Sequence, residues 1–365
     1  MRSTESRLLH PVAWWVWATC LAACALRSTN PVVNCLVIAV AGFVVAWRRP
    51  DAPWSRSFAS SLRLGAFVIA IRVAFQIVFG LRVPGTTLFT IPEVSLPSWA
   101  AGVSLGGPVT AEALTSALYQ GLRLAAVIAC FGAATSLCSP YRTLRALPAV
   151  LHEAGVAVTV ALSFAPQAVV SARRVREARR LRGRRDRGVR AWVASAMPVL
   201  EGALDRAVAL AASMDGRGYG RPGTMSPVRR RTTAVLFLTG LVAVAVGAYG
   251  ALDAGSPWVL RGPAVALGLA AVIAGFVLSA RTTGRSRHRP DPWRAPEWAT
   301  VLAGLAALGA SVVTPTAALH PSVYPLEVPT VPMLAVLGLV VALVPARLAP
   351  PPPTLVGAAP LAVAA

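Results

Sequence analysis

Apolar residues fall in long runs along this chain, broken by short polar stretches, and the length of each run decides what it can become. A helix that crosses a bilayer needs roughly 20 mostly apolar residues. Residues 12–27 and 31–47 predict two slightly short spans joined by the turn at 28–30, a tight helical hairpin. Residues 62–81 predict a third span and 113–138 a fourth, with a polar loop containing Gly and Pro over 82–112. Four further apolar runs lie at 232–252, 262–280, 298–314 and 331–348. The pattern therefore predicts an all-α polytopic membrane protein with about eight transmembrane helices.

The middle of the chain follows another rule. Residues 154–170 are apolar but short and are interrupted by Pro166, which predicts an inserted helix that does not cross, or a tilted one. The next twenty, SARRVREARRLRGRRDRGVR, carry ten arginines against Glu177 and Asp186. Over 192–214, Val193, Met197, Leu200, Leu204, Val208 and Ala211 recur at three- and four-residue spacing, with Glu201, Asp205 and Arg206 on other faces. That is an amphipathic helix, not a span. Glycines and a proline in SMDGRGYGRPG stop it. Four regions follow: N-terminal transmembrane helices over 8–150, a basic helical region over 151–231, C-terminal transmembrane helices over 232–348, and a Pro-rich tail over 349–365.

Composition narrows the class. The 365 residues are 56% hydrophobic and only 13% charged, about half the charge of a soluble domain. That excludes a water-soluble enzyme, and the hydrophobicity excludes a disordered protein. The net charge is nevertheless +21, and every one of the 35 basic residues is arginine. A chain without lysine cannot build a P-loop, which sets a lysine beside the phosphates, so ATP-derived energy must come from a partner. Residues 171–231 hold 16 arginines and five acids, more than half of the excess charge. Basic loops stay cytoplasmic. With the N-terminus inside and 154–170 not crossing, 48–57, 139–150, 171–231 and 281–297 fall inside. The outer loops then carry only Arg82 and Arg261.

Candidate chemistry is sparse. Cys20, Cys24, Cys35, Cys130 and Cys138 sit in or beside apolar runs without a CxxC pair, and the four histidines are scattered. Packed thiols fit better than a metal site, and no catalytic motif or cofactor fingerprint occurs. Leu21-Ala22-Ala23-Cys24 has the form of a lipoprotein cleavage site, but cutting there would split the first hairpin, so an uncleaved span is expected. Arg72 and Arg123 lie inside spans, where a charge is functional or paired. For Arg72 the structural alternative is a backbone carbonyl or an acid such as Glu112. The arginine run lacks the aromatic interleaving of a nucleic-acid site and lies beside the bilayer. Anionic lipid headgroups suit most of it.

Two points in that run repeat one design. Leu181-Arg182-Gly183 ends the first helix and Gly216-Arg217-Gly218 ends the second. A glycine there lets the chain leave the helix in a left-handed turn. The arginine is then presented at an exposed tip, where its planar fork matches carboxylates or carbonyls of a partner groove.

These segments resemble the two Ala-Arg-Gly-like motifs of the transmembrane T component of energy-coupling factor (ECF) transporters, the family that includes the cobalt-transport permease. EARRLRG (177–183) resembles the first, with Leu181 in place of alanine. SMDGRGYG (213–220) resembles the second, with Gly216 in place of alanine and the aromatic Tyr219 following. Leu9-His10-Pro11 and Asn30-Pro31 fit the family's N-terminal hairpin more loosely. The resemblance covers about residues 8–252, and the chain beyond about 255 exceeds a typical member.

It implies a non-catalytic coupling subunit of an ABC-type importer in the cell membrane. One or two ABC-type ATPases would dock on Leu181, Arg182, Gly183, Gly216, Arg217 and Gly218. Their motion would pass to a separate small membrane protein that binds a vitamin or a transition-metal ion such as cobalt. Rival readings are a membrane scaffold or assembly protein and a membrane-embedded lipid-modifying enzyme.

Overall fold

The computed structural model describes residues 7–79, 85–94, 105–146, 152–183, 189–219, 226–252, 257–282 and 293–352. In chain order the helices begin with α1 (Pro11–Leu26), α2 (Pro31–Arg48) and α3 (Ser57–Phe79). Strands β1 (Thr87–Val94) and β2 (Leu105–Thr110) precede α4 (Ala111–Leu137) and the short α5 (Pro140–Arg145). Then come α6 (His152–Leu181), α7 (Val189–Gly216), α8 (Pro227–Leu252) and α9 (Trp258–Thr282). The last are α10 (Ala295–Val313), the one-turn α11 (Thr316–Leu319), α12 (Met333–Val341) and α13 (Val344–Leu348). Among the described residues, six helices suffice by length and composition to cross a membrane, and three shorter apolar ones accompany them. All eight expected spans are among these nine, and the ninth is Gly155–Leu181.

Two compact units emerge, one from Met1–Thr143 with Pro290–Ala365 and one from Leu144–Arg289. The first is built around α1, which packs on α2, α4 and α10. Its buried residues, among them Trp14, Trp17, Cys20, Leu21 and Cys24, cover more than half of its circumference, and Val12, Thr19 and Leu26 share the remaining, exposed side. Helices α12 and α13 lie against α2 and α10, so the C-terminal segment belongs to the same core as the N-terminal hairpin.

Among the described residues, the long-range hydrogen bonds of the loops in this unit join segments that the charge count puts on one side of the membrane. On the outer side Asn30 caps α2, accepting from the Val32 N–H at 3.0 Å, while its Nδ2 donates to the carbonyls of Ala318 and Thr330 at 3.0 and 2.7 Å. The Ser28 hydroxyl and the Thr29 and Asn30 N–H groups all donate to the Leu319 carbonyl. On the inner side Arg7 pairs with the buried Glu297 at 2.9 Å. Arg142 reaches the Leu8 carbonyl, and Arg48 donates to the carbonyls of Ala346 and Arg347.

Three expectations change. Part of the loop expected over 82–112 forms an antiparallel hairpin, in which Phe89 faces Val109 and Ile91 faces Gly107. Pro92 and Pro108 are tolerated because both strands of a two-stranded sheet are edges. The run 331–348 is not one helix: Pro345 has no N–H and disfavours helical continuation before it. The Ala346 N–H bonds instead to Leu343, leaving the Ala342 carbonyl to accept the indole N–H of the fully buried Trp17 at 3.1 Å. Pro166, finally, does not interrupt α6, which runs unbroken from the apolar segment into the arginines. Proline is tolerated in apolar helices whose freed backbone groups find other partners.

The second unit contains two antiparallel pairs. Helices α8 and α9 meet backbone to backbone: a Cβ built on Gly268 would lie 2.7 Å from the Val244 nitrogen, and one on Gly247 would lie 2.7 Å from the Val265 nitrogen. Small residues at a crossing allow this close approach, and Phe237 stacks edge-on against Phe276. The other pair is α6 with α7.

Candidate coupling site

Helix α6 carries five arginines over its C-terminal part, of which Arg179 and Arg180 lie in the last turn and complement the negative end of the helix dipole. Arg179 also donates to the Ala194 carbonyl near the start of α7 at 2.9 Å, which ties the two helices at that end. At their other end Val156, Val160 and Phe164 of α6 face Ala207, Leu210 and Met214 of α7 across an apolar cavity of about 490 Å³. The pair is therefore antiparallel.

The two predicted tips adopt one geometry. At the first, Arg182 is the last residue bonded to the helix, through its N–H to Ala178, and the Gly183 N–H turns back to the Arg180 carbonyl at 3.0 Å. Gly183 has φ of 77°. At the second, the Gly218 N–H donates to Asp215 at 2.8 Å and the Tyr219 N–H donates to Met214 at 3.0 Å, with Gly218 at φ of 72°. Those two bonds are the paired closure of a Schellman ending. In both tips the arginine is the cap residue and the glycine the left-handed residue after it, as the sequence predicts. Gly216 lies in the last turn of α7, with ordinary helical backbone.

All three residues of the first tip are exposed, as are Gly216 and Arg217, and Leu181 reaches 89% exposure. Among the described residues no carboxylate pairs with Arg182 or Arg217. Because the helices are antiparallel, the tips stand at opposite ends of the pair. The 28 residues of α7 separate them by about 40 Å at 1.5 Å per residue.

The apolar stripe of α7 faces away from α6. Val193, Met197, Leu200, Leu204 and Val208 are each more than 60% exposed. The side toward α6 carries Ala203 and Ala207 with Leu210 and Met214, and Ala211, the last residue of the stripe, also lines the cavity between the helices. Periodicity reveals that α7 is amphipathic, but small residues on its other face decide which side pairs.

The intramembrane charges are placed differently from expectation. Glu112 does not pair with Arg72: its carboxylate accepts the Thr86 N–H at 2.9 Å and the Thr86 hydroxyl at 3.1 Å. Arg72 donates instead to the Gln120 side-chain oxygen. Among the described residues no cluster of His, Cys, Asp or Glu is arranged to hold a metal ion, and all five cysteines are free.

Residues 2–227 match the CbiQ family, described as cobalt transport protein. The chain belongs to that family. The matched stretch includes both arginine tips and ends at the first residue of α8. Members are integral membrane components of multi-subunit transporters, so this chain is a multi-pass protein of the cell membrane with a transport role. Comparison with curated proteins returns no match.

Proposed function

We propose that the chain is the coupling subunit of an energy-coupling-factor importer, without catalysis of its own. The carrying observation is the pair of tips: two exposed cap arginines, each followed by a left-handed glycine whose N–H turns back to the carbonyl three residues earlier, at opposite ends of one antiparallel pair. Two ABC-type ATPases, each offering one groove, fit such a two-ended device. Arg182 and Arg217 enter the grooves as forked donors, beside the exposed Leu181 at the first tip and the open Gly216 at the second. Closure of the ATPases on ATP draws the two tips together and tilts α6 against α7. The tilt is relayed to a separate small membrane protein that carries a transition-metal ion or a vitamin.

The surrounding arginines, including Arg173, Arg174 and Arg176, serve differently. Their spread along α6 suits anionic lipid headgroups, each worth about 1 kcal/mol near a charged surface.

Charge reversal tests the docking role. Truncating one partner of a desolvated, hydrogen-bonded charge pair costs about 2–5 kcal/mol, and reversal costs more. The double variant Arg182→Glu with Arg217→Glu is expected to insert normally and to lose co-purifying ATPases. Retention of the ATPases at the level of the unaltered chain would overturn the docking assignment.

A further inference from the structure

We infer that the apolar cavity between α6 and α7 is a site for an anionic phospholipid: one acyl chain fills it, and Arg206 holds the phosphate at its end. The site needs neither docked ATPases nor the arginine tips, so the inference does not rest on the coupling reading.

The cavity exists because small residues meet large ones across the pair. Ala203 and Ala207 of α7 stand toward Val160 and Phe164 of α6, and alanine leaves open the volume that a longer side chain would fill. Every lining residue is apolar, so water finds no side-chain partner inside. Ala207 and Ala211 remain exposed, which leaves the cavity open to its surroundings. Its α6 residues all precede the first arginine of that helix, Arg173, and belong to a stretch apolar enough for a membrane. An open apolar volume of about 490 Å³ on such a stretch suits a hydrocarbon tail.

Positive charge begins where the cavity ends. Arg206 lies three residues after Ala203 and four before Leu210, beside the lining face of α7. Its guanidinium folds back along the helix, with Nη1 3.8 Å from where a Cβ on Gly202 would stand. In an antiparallel pair that direction leads toward the arginines of α6. There Arg174, fourteen residues after Val160 and so on nearly the same face of α6, is exposed, and its side chain leans back toward the cavity. Arg206 is half-buried, its Nε is buried without a hydrogen-bond partner, and among the described residues no carboxylate pairs with it. A phosphate supplies the acceptors that its planar fork lacks. A free phosphate would satisfy the arginine and leave the cavity empty. A phospholipid satisfies both, with its tail along the apolar half of α6 and its headgroup where the arginines start.

The full chain is purified from its own cells and placed in phosphatidylcholine nanodiscs that contain a trace of phosphatidylglycerol with a diazirine in one acyl chain. Irradiation should label Val160, Phe164 and Leu210 more heavily than the exposed Phe67 and Phe75 of α3. Arg206→Gln should lower the cavity label about fivefold, Arg206→Lys should retain it, and Ala207→Phe, which fills the volume, should abolish it. Unchanged label on α3 shows that each variant is inserted and folded. A diazirine-tailed diacylglycerol, which lacks the phosphate, should label the cavity no more than α3. Three outcomes overturn the site: cavity label at or below that of α3, as when a protein segment occupies it; equal cavity label from the two probes, the mark of a merely greasy crevice; or cavity label unchanged by Arg206→Gln.

Discussion

At Arg182 and Arg217 the same two-residue device fixes both a helix end and the direction of a charge. The glycine after each arginine holds φ of 77° or 72°, a region that costs other L-residues about 1–2 kcal/mol. Gly218→Ala is therefore expected to disrupt the closure through Tyr219 and to weaken ATPase association. Gly216→Ala, two residues earlier, has helical backbone and open space around the new Cβ. It should stabilise α7 by about 0.5–1 kcal/mol and leave association unchanged. Quantitative co-purification of the two variants checks the pair, and equal behaviour would contradict a role for the left-handed turn. This device is legible in sequence because it is local: basic helix, arginine, glycine. Asn30 is not legible in the same way. Asn30-Pro31 announces a helix start, but the Ala318 and Thr330 carbonyls that its amide reaches lie almost 300 residues away, and no local pattern encodes such a bond.

Among the elements, apolar run length places the membrane helices well. The runs at 12–27 and 31–47 become Pro11–Leu26 and Pro31–Arg48, because Asn30 and two prolines at first helical positions fix their starts. Less legible are the places where one residue arbitrates between continuing and breaking. Pro166 leaves α6 whole, while Pro345 separates α12 from α13, and only the second break supplies a carbonyl that a buried tryptophan takes up. Glycines inside α8 and α9 are where the helices cross, a role that apolar run length does not reveal. Gly268→Leu would force the two backbones apart and should lower the melting temperature in detergent, as expected of overpacking worth about 1–3 kcal/mol. Gly309→Leu on α10 meets nothing within 4 Å of its Cβ and serves as the neutral comparison. A smaller loss for the first variant than for the second would refute the close crossing.

For the molecule as a whole, charge asymmetry gives the topology and packing gives the organisation. Counting arginines assigns each loop a side, and the bonds of Arg7 to Glu297 and of Asn30 to Thr330 join segments assigned to the same side. The role of the C-terminal helices is not visible in their own sequence. The family match ends at residue 227, yet α10, α12 and α13 pack on α1 and α2, so this extension completes the N-terminal core. The central claim is that the chain works as the membrane part of a larger machine, and its intact assembly tests that most directly. The tagged chain is purified in mild detergent from its own cells, and what accompanies it is identified by mass spectrometry. Recovery of one or two ABC-type ATPases with a small integral membrane protein is the predicted result. Recovery of the chain alone, repeatedly and under conditions that keep it folded, would contradict the coupling account.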